Sequence, residues 1–234
     1  LDKAEKLDLC DINQVCAITK NLEGQEMIDI ESMRRYTQLF SDDGYTLHDK
    51  DIMKKALELS KELGFKVLTH CQPEEIIVKR DLKLLGEVGG NLHICHISLK
   101  ETLKEIKKYK DNGHKFTCEV GPHHIYGYGL DYKVNPSFAK EEDMKYLIQG
   151  IKDGYIDMIG TDHAPHTEED KENGAPGISN IEVAFGMVNK VFSENGISLN
   201  KLSEMMSLNP AKLLGLNQGL IEEGLRADLV LVDS

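Results

Sequence analysis

The sequence predicts an α/β protein built on a parallel sheet, and two patterns support this. Short apolar runs alternate with amphipathic segments of helical length, and polar side chains follow the apolar runs. Such alternation is typical of βαβ units and parallel strands. Periodicity alone leaves two architectures open, the doubly wound sheet and the closed barrel. The second pattern favours a (β/α)₈ barrel, because barrel enzymes place their chemistry at the C-terminal ends of several strands.

The predicted strands are short runs rich in β-branched residues. They cover 15–19, 39–44, 66–70, 92–98, 115–120 and 156–163. Between and after them, apolar residues recur at helical spacing, as in 49–64, where Gly64 is a typical C-terminal stop. The predicted helices cover 49–64, 74–88, 99–112, 140–153, 178–194 and 199–214.

Composition restricts the class of protein. The chain has 234 residues, 40% of them hydrophobic and 29% charged, which fits a globular domain. A net charge of −12 without a basic block argues against nucleic acid or an anionic membrane surface as a partner. No apolar run approaches the roughly 20 residues that a bilayer span needs. Five cysteines without a paired motif predict reduced thiols in a cytoplasmic protein.

Five consecutive predicted strands each end in a titratable side chain. Unrelated turn residues would not be expected to coincide in this way. The titratable side chains are Asp42 and Asp43, His70, Cys95 and His96, Glu119, and the group Asp162, His163 and His166. Imidazole and carboxylate without clustered thiolate suit Zn²⁺ in a hydrolytic role, with Mn²⁺ or Co²⁺ as substitutes. A carboxylate after the last strand could then move the proton of an activated water.

Several ordered motifs carry a resemblance to a known family. "FSDDG", "THCQPE", "CHISLKETLKEIKK", "CEVGPHH" and "GTDHAPH" resemble segments of bacterial dihydroorotases, which belong to the amidohydrolase superfamily. The resemblance covers nearly the whole chain, with "AITKNLEG" before these motifs and "LNPAKLLGL" and "GLRADLVLVD" after them. It implies a metal-dependent eight-stranded barrel, of which residues 1–218 would hold strands three to eight. Residues 219–234 would begin a small β subdomain.

The resemblance also implies a metal site with two zinc ions. Asp43 would bridge them, at the place where related enzymes carry a carboxylated lysine. His70 and His96 would bind the more exposed zinc. Asp162 would bind the buried zinc and act as the catalytic general acid and base. The family's HxH motif, on the first barrel strand, is not in this sequence, so little activity is expected of these residues alone.

Further residues follow from the same resemblance. Asn135 and His166 would contact the pyrimidine ring or its carboxylate, and the backbone at Pro176 and Gly177 would hold the ring amide. Glu119 is expected to orient a ligand histidine from behind.

Three departures concern the loops rather than the ligands. Gln72-Pro73 stands where the family has Glu-Asp, 137–139 lacks the usual basic side chain, and Gly121 replaces Thr or Ala.

The implied activity is the reversible hydrolysis of L-dihydroorotate to N-carbamoyl-L-aspartate in pyrimidine biosynthesis. Two alternatives stay open. Another cyclic amidase, of the allantoinase or hydantoinase type, is disfavoured because Asp43 stands where those enzymes have lysine. A catalytically inactive subunit that binds aspartate transcarbamoylase is the other alternative, and a homodimer is a further possibility for assembly.

Overall fold

A computed structural model describes residues 6–7 and 10–232 and contains one parallel sheet. Its strands are β1 (Leu39–Phe40), β2 (Lys66–Thr69), β3 (Leu92–Ile94), β4 (Thr117–Val120) and β5 (Met158–Ile159). They lie side by side in the order β1-β2-β3-β4-β5, every pair parallel. A doubly wound sheet reverses direction at a switch point, so the sequential order is that of a barrel. Among the described residues, hydrogen bonds do not close the sheet into a ring.

Helices connect the strands and cover one face of the sheet. They are α1 (Ile30–Met33), α2 (Lys50–Leu63), α3 (Glu74–Val88), α4 (Lys100–Asp111), α5 (Pro122–Tyr126), α6 (Glu141–Lys152), α7 (Glu168–Glu172), α8 (Ala184–Glu194), α9 (Leu199–Ser203) and α10 (Asn209–Leu214). A π-helical turn, Glu204–Leu208, joins the last two, so the predicted helix 199–214 is one interrupted run. The predicted helix 178–194 begins later, at Ala184. The short helices α1, α5 and α7 were not predicted.

Five of the six predicted strands, all except 15–19, are confirmed but are shorter than their apolar runs. The first, 15–19, pairs with β1 through a single parallel bridge between Cys16 and Phe40. The Cys16 N–H donates to the Leu39 carbonyl at 2.9 Å, and the Ser41 N–H donates to the Cys16 carbonyl at 2.9 Å. The segment therefore lies beside β1 but forms no regular strand.

Alternating burial shows which face of the sheet is the inner one. In β4, Cys118 and Val120 are fully buried against the helices, whereas Thr117 and Glu119 point to the opposite, half-buried face. The same alternation is found in β2. The inner face therefore carries polar side chains below the strand ends, as the interior of a barrel enzyme does.

The C-terminal segment differs from the prediction of a strand at 219–234. Residues 216–232 form no strand, and 233–234 lie outside the described residues. Leu229, Val230 and Leu231 have exposed fractions of 64%, 83% and 101%. An isolated strand has nothing to pair with or pack against, and this segment has no strand beside it in the described part of the chain. A β subdomain built from it stays a prediction.

Two negative findings concern only the residues that the structure describes. No helix combines the length and apolar character that crossing a membrane requires. None of the five cysteines forms a disulfide.

A buried carboxylate under β2 predicts a pH effect on stability. Asp81 is fully buried, accepts hydrogen bonds from Thr69 and from the Arg80 guanidinium, and burial raises its pKa from 3.8 to about 6. The pKa of Asp81 is thus higher in the folded chain than in the unfolded chain. Its contribution to stability is therefore complete below pH 3.8 and is lost as pH rises through about 6.

We expect Asp81→Asn to remove this dependence. The wild-type free energy of unfolding, relative to that of the variant, should fall by roughly 2–3 kcal/mol across this window. Urea denaturation of both proteins at several pH values measures it, with exposed Asp131→Asn as the control. Parallel pH profiles for wild type and Asp81→Asn would contradict the prediction.

Candidate metal centre

Three side chains from three successive strand ends converge at the C-terminal edge of the sheet. They are Asp43 after β1, His70 after β2 and His96 after β3, and their ligand atoms lie within 4.8 Å of one another. The Asp43 Oδ1 atom is 3.2 Å from His70 Nδ1 and 3.6 Å from His96 Nε2. The two imidazole nitrogens are 3.0 Å apart. Two nitrogens and a carboxylate oxygen facing one point form a donor set that suits zinc.

The turn after β1 gives two adjacent carboxylates different roles. Asp42 is buried and accepts hydrogen bonds from the backbone N–H groups of Ile18 and Thr19, at 2.8 and 2.9 Å, and from the Thr19 hydroxyl. It thereby ties the first predicted strand to the end of β1. The side chain of Asp43 is 46% exposed and points to the histidines. Asp42 is thus a buried anchor rather than part of the group that faces the histidines.

His96 lies in a loop with a backbone conformation that the rest of the chain must hold. Its φ is +34°, a region that non-glycine residues seldom adopt. Two residues later, the Ser98 N–H and hydroxyl and the Leu99 N–H donate to the buried carboxylate of Glu74, at 2.6–3.1 Å. Glu74 therefore fixes this loop and satisfies free N–H groups at the start of α4. Sequence reasoning missed Glu74, because an acid in the first turn of a helix is common.

The electrostatics of the three residues are mutually dependent. Burial raises the pKa of Asp43, but hydrogen bonds to His70 and His96 outweigh it and hold that pKa far below its usual range. Burial lowers the pKa of His96, and the hydrogen bond to Asp43 outweighs it, so that the pKa is raised. A cation is thus favoured at this point, and either protons on the imidazoles or a metal ion can supply the charge.

Asp162 lies near Asp43, His70 and His96 but is not part of the group whose ligand atoms lie within 4.8 Å of one another. It follows β5 with φ +47°, and burial raises the pKa of its carboxyl, with His96, Asp43 and His70 close enough to interact with its charge. Within the described residues, the close cluster therefore contains three of the four predicted ligands. The prediction assigned Asp162 to the second zinc, whose other ligands were expected outside this sequence.

A second polar group lies on the inner face of the sheet and corrects the interpretation of Glu119. The Glu119 carboxylate is 3.2 Å from Nε2 of His93, not from a ring nitrogen of a ligand histidine, while His93 Nδ1 is 2.8 Å from the Thr117 hydroxyl. Cys95 completes a group with ligand atoms within 4.8 Å. Because β3 alternates its faces, His93 rather than His96 faces Glu119 across the inner side. Glu119 nevertheless lies close enough to His96 for the charges of the two side chains to interact.

Asn135 contacts a predicted ligand directly. Its side-chain amide is 3.0 Å from Nε2 of His70, the ring nitrogen that faces away from Asp43. A partner on the far nitrogen orients an imidazole and selects its tautomer. A substrate contact for Asn135 stays a prediction.

Hydrogen bonds within the chain hold the loop around Pro176 and Gly177, whose backbone was predicted to contact the substrate. The Gly177 N–H donates to the Lys133 carbonyl at 3.1 Å, and the Lys171 ammonium donates to the carbonyls of Lys133, Ala175 and Gly177 at 2.7–3.0 Å. The N–H of Gly177 is therefore not free to hold a ring amide, and its carbonyl has capacity for one further bond. Pro176 is exposed beside it.

His166 packs against this loop. A Cβ added at Gly177 would lie 2.8 Å from Cδ2 of His166 and 2.4 Å from the Ala164 carbonyl oxygen. The predicted substrate residues His166 and Gly177 thus lie together, close to the end of β5.

Two further histidines after β4 are buried and neutral. Burial lowers the pKa of His123 to about 4 and that of His124 to about 3. They leave no room for a side chain at Gly121, where an added Cβ would be 2.7 Å from His123. The departure to glycine at 121 thus has a steric reason in this chain.

Comparisons with known proteins agree with the fold and with the motifs. A family model described as "Amidohydrolase family" matches residues 12–234. The chain is 41% identical to a dihydroorotase of Clostridium botulinum (strain Eklund 17B / Type B), over 99% of this chain and 62% of that protein. It is 34% identical to a dihydroorotase of Aquifex aeolicus (strain VF5), over 100% of this chain and 64% of that protein.

The solved structures that resemble this one share its fold. An L-hydantoinase (dihydropyrimidinase) from Arthrobacter aurescens superposes with a TM-score of 0.82 at 22% identity, over 93% of this chain and 59% of that one. A D-hydantoinase from a Bacillus sp. AR9 gives a TM-score of 0.83 at 20% identity, over 94% and 61%. The chain thus spans less than two thirds of the length of these four proteins.

Proposed function

This chain belongs to the amidohydrolase family, and from that premise we propose that it forms the larger part of a zinc-dependent dihydroorotase. The proposed reaction is the reversible hydrolysis of L-dihydroorotate to N-carbamoyl-L-aspartate. The observation that supports it most is the meeting of Asp43, His70 and His96 at one edge of the sheet. The names of the two curated relatives support the choice of substrate.

The residues present fit the metal that the family implies. Asp43 and the two histidines offer one carboxylate oxygen and two imidazole nitrogens, and His96 Nδ1 is a buried ring nitrogen without a hydrogen-bond partner. When bound, zinc lowers the pKa of its water to roughly 7 and polarises the amide carbonyl. A complete site would hold two zinc ions, with Asp43 contributing to the binding of both and Asp162 to the binding of the second.

The proton transfers fall to Asp162 in this proposal. Burial raises the pKa of this carboxyl above its ordinary value, which brings it nearer to the range where a group both takes and gives a proton. Asp162 accepts a proton from the attacking water and delivers it to the ring nitrogen as the amide bond breaks. In the reverse direction it takes the proton back and returns it to the departing water.

Substrate orientation is proposed for the loops around the centre. Asn135 and His166 contact the pyrimidine ring or its carboxylate, and the carbonyls at Pro176 and Gly177 accept from the ring amide. The substrate is a small soluble acid of de novo pyrimidine biosynthesis, which is consistent with a cytoplasmic enzyme.

The test is an assay of the full-length protein with its metal content measured. We expect hydrolysis of dihydroorotate, loss of activity after zinc is removed by a chelator, and recovery when zinc is added. Hydantoin and allantoin serve as control substrates. Turnover of a control substrate without dihydroorotate would identify another cyclic amidase, and a stable metal-free protein without any turnover would identify an inactive subunit. Either result contradicts the proposal.

A further inference from the structure

The backbone of Asp162 is held in a conformation that needs support from elsewhere. A φ of +47° is uncommon for an aspartate, and such residues persist only where the surrounding contacts hold them in place. The segment 177–181 provides these contacts. It lies against the end of β5, where His163 and Ile178 form a parallel bridge and the Ala164 N–H donates to the Ile178 carbonyl at 3.0 Å.

Asn180 contacts the residues on both sides of Asp162. Its side-chain Nδ2 donates to the Thr161 carbonyl at 2.7 Å, directly before Asp162. Its backbone N–H, together with that of Ile181, donates to Nδ1 of His163, directly after Asp162, at 3.1 Å each. One residue thus holds both neighbours of the strained position.

The second hydrogen of the Asn180 amide connects these contacts to the segment that follows β4. Nδ2 lies 3.2 Å from Nδ1 of His123, at the start of α5 after β4. Because both hydrogens of Nδ2 are then used, His123 Nδ1 must be the acceptor and must carry no proton. Asn180 and His123 are each 1% exposed, so water does not substitute for either contact.

We propose that Asn180, whose side-chain amide is oriented by His123, is a positioning residue for Asp162, which it holds in place through Thr161 and His163. This inference rests on the proposed function, in which Asp162 transfers the proton. Asparagine suits the place because its amide donates twice from one nitrogen. An aspartate of the same shape would set a carboxylate against the Thr161 carbonyl oxygen, an acceptor that cannot donate to it, and would favour the other tautomer of His123.

The kinetic test uses Asn180→Asp and Asn180→Ala in the full-length protein. Loss of such a supporting contact typically costs 10–100-fold, so we expect kcat for dihydroorotate to fall about 10–100-fold, with KM changed less than about threefold. Asn209→Asp is the matched control. Its Nδ2 donates to the Asp157 carbonyl, at 2.6 Å, just before β5 at the end away from the site. Wild-type kcat in a folded Asn180 variant, or an equal loss in the Asn209 control, would overturn the inference.

A second measurement needs neither variants nor activity. Nitrogen-15 NMR of the metal-free wild-type protein should show His123 as the neutral tautomer with the proton on Nε2. A proton on Nδ1 excludes the contact with Asn180 and overturns the inference, even if both variants fail to fold. If the wild type does not hydrolyse dihydroorotate, the proposed function fails. The tautomer of His123 still tests the contact between His123 and Asn180 in that case.

Discussion

Replacement of Asp162 by asparagine is expected to lower kcat for dihydroorotate hydrolysis by about 10³-fold or more, near the upper range for loss of a general acid and base. Asparagine has the same shape and tolerates a positive φ as well as aspartate does, so the backbone at +47° should survive. What it lacks is the ability to accept and return a proton.

The measurement is the rate at saturating dihydroorotate and saturating zinc, which separates proton transfer from weaker metal binding. Asp153→Asn, an exposed aspartate close before β5, is the control and should keep wild-type activity. Activity of the Asp162 variant within about threefold of the wild type would remove this residue from the chemistry.

The second large effect separates two neighbouring carboxylates. We expect Asp43→Asn to weaken zinc binding by more than about 100-fold, since loss of a residue that merely supports a ligand already costs 10–100-fold. Because its hydrogen bonds to His70 and His96 also stabilise the folded chain, the free energy of unfolding without metal should fall, but less than in Asp42→Ala, since the Asp43 side chain is 46% exposed. Asp42→Ala should retain zinc affinity and lose more stability, because it leaves the buried N–H groups of Ile18 and Thr19 without an acceptor, at a cost of about 2–4 kcal/mol.

Zinc titration and urea denaturation of both variants test the pair together. The expected pattern is a large loss of zinc affinity with the smaller loss of stability at 43, and the larger loss of stability with retained zinc affinity at 42. The reverse pattern, or equal losses at both positions, would show that the roles of the two carboxylates are misassigned.

The fold was predictable because its signals are local. Apolar periodicity identified all the strands and the long helices, and the polar residues at the strand ends favoured the barrel order over the doubly wound sheet. Local signals alone do not decide residues 219–232, where an apolar alternating run forms no strand within the described part of the chain. A strand needs a neighbour to pair with, and that is a property of the whole fold rather than of the run.

The candidate ligands were predictable because their chemistry is rare at strand ends, whereas the residues that hold them were not. Glu74 and Asn180 are ordinary residue types in ordinary places, and only the folded chain brings Glu74 to Ser98 or Asn180 to Thr161. Glu119 shows that a residue can be predicted without its contact. Its importance could be anticipated, but its side-chain partner, His93, depends on the alternation of faces in a neighbouring strand.

The location of bound zinc tests the central claim most directly. In crystals of the full-length protein grown with zinc, the anomalous signal at the zinc edge should give a peak about 2.0–2.2 Å from a ring nitrogen of His70, a ring nitrogen of His96 and a carboxylate oxygen of Asp43. Zinc bound elsewhere, with no peak among these three side chains, would contradict the account.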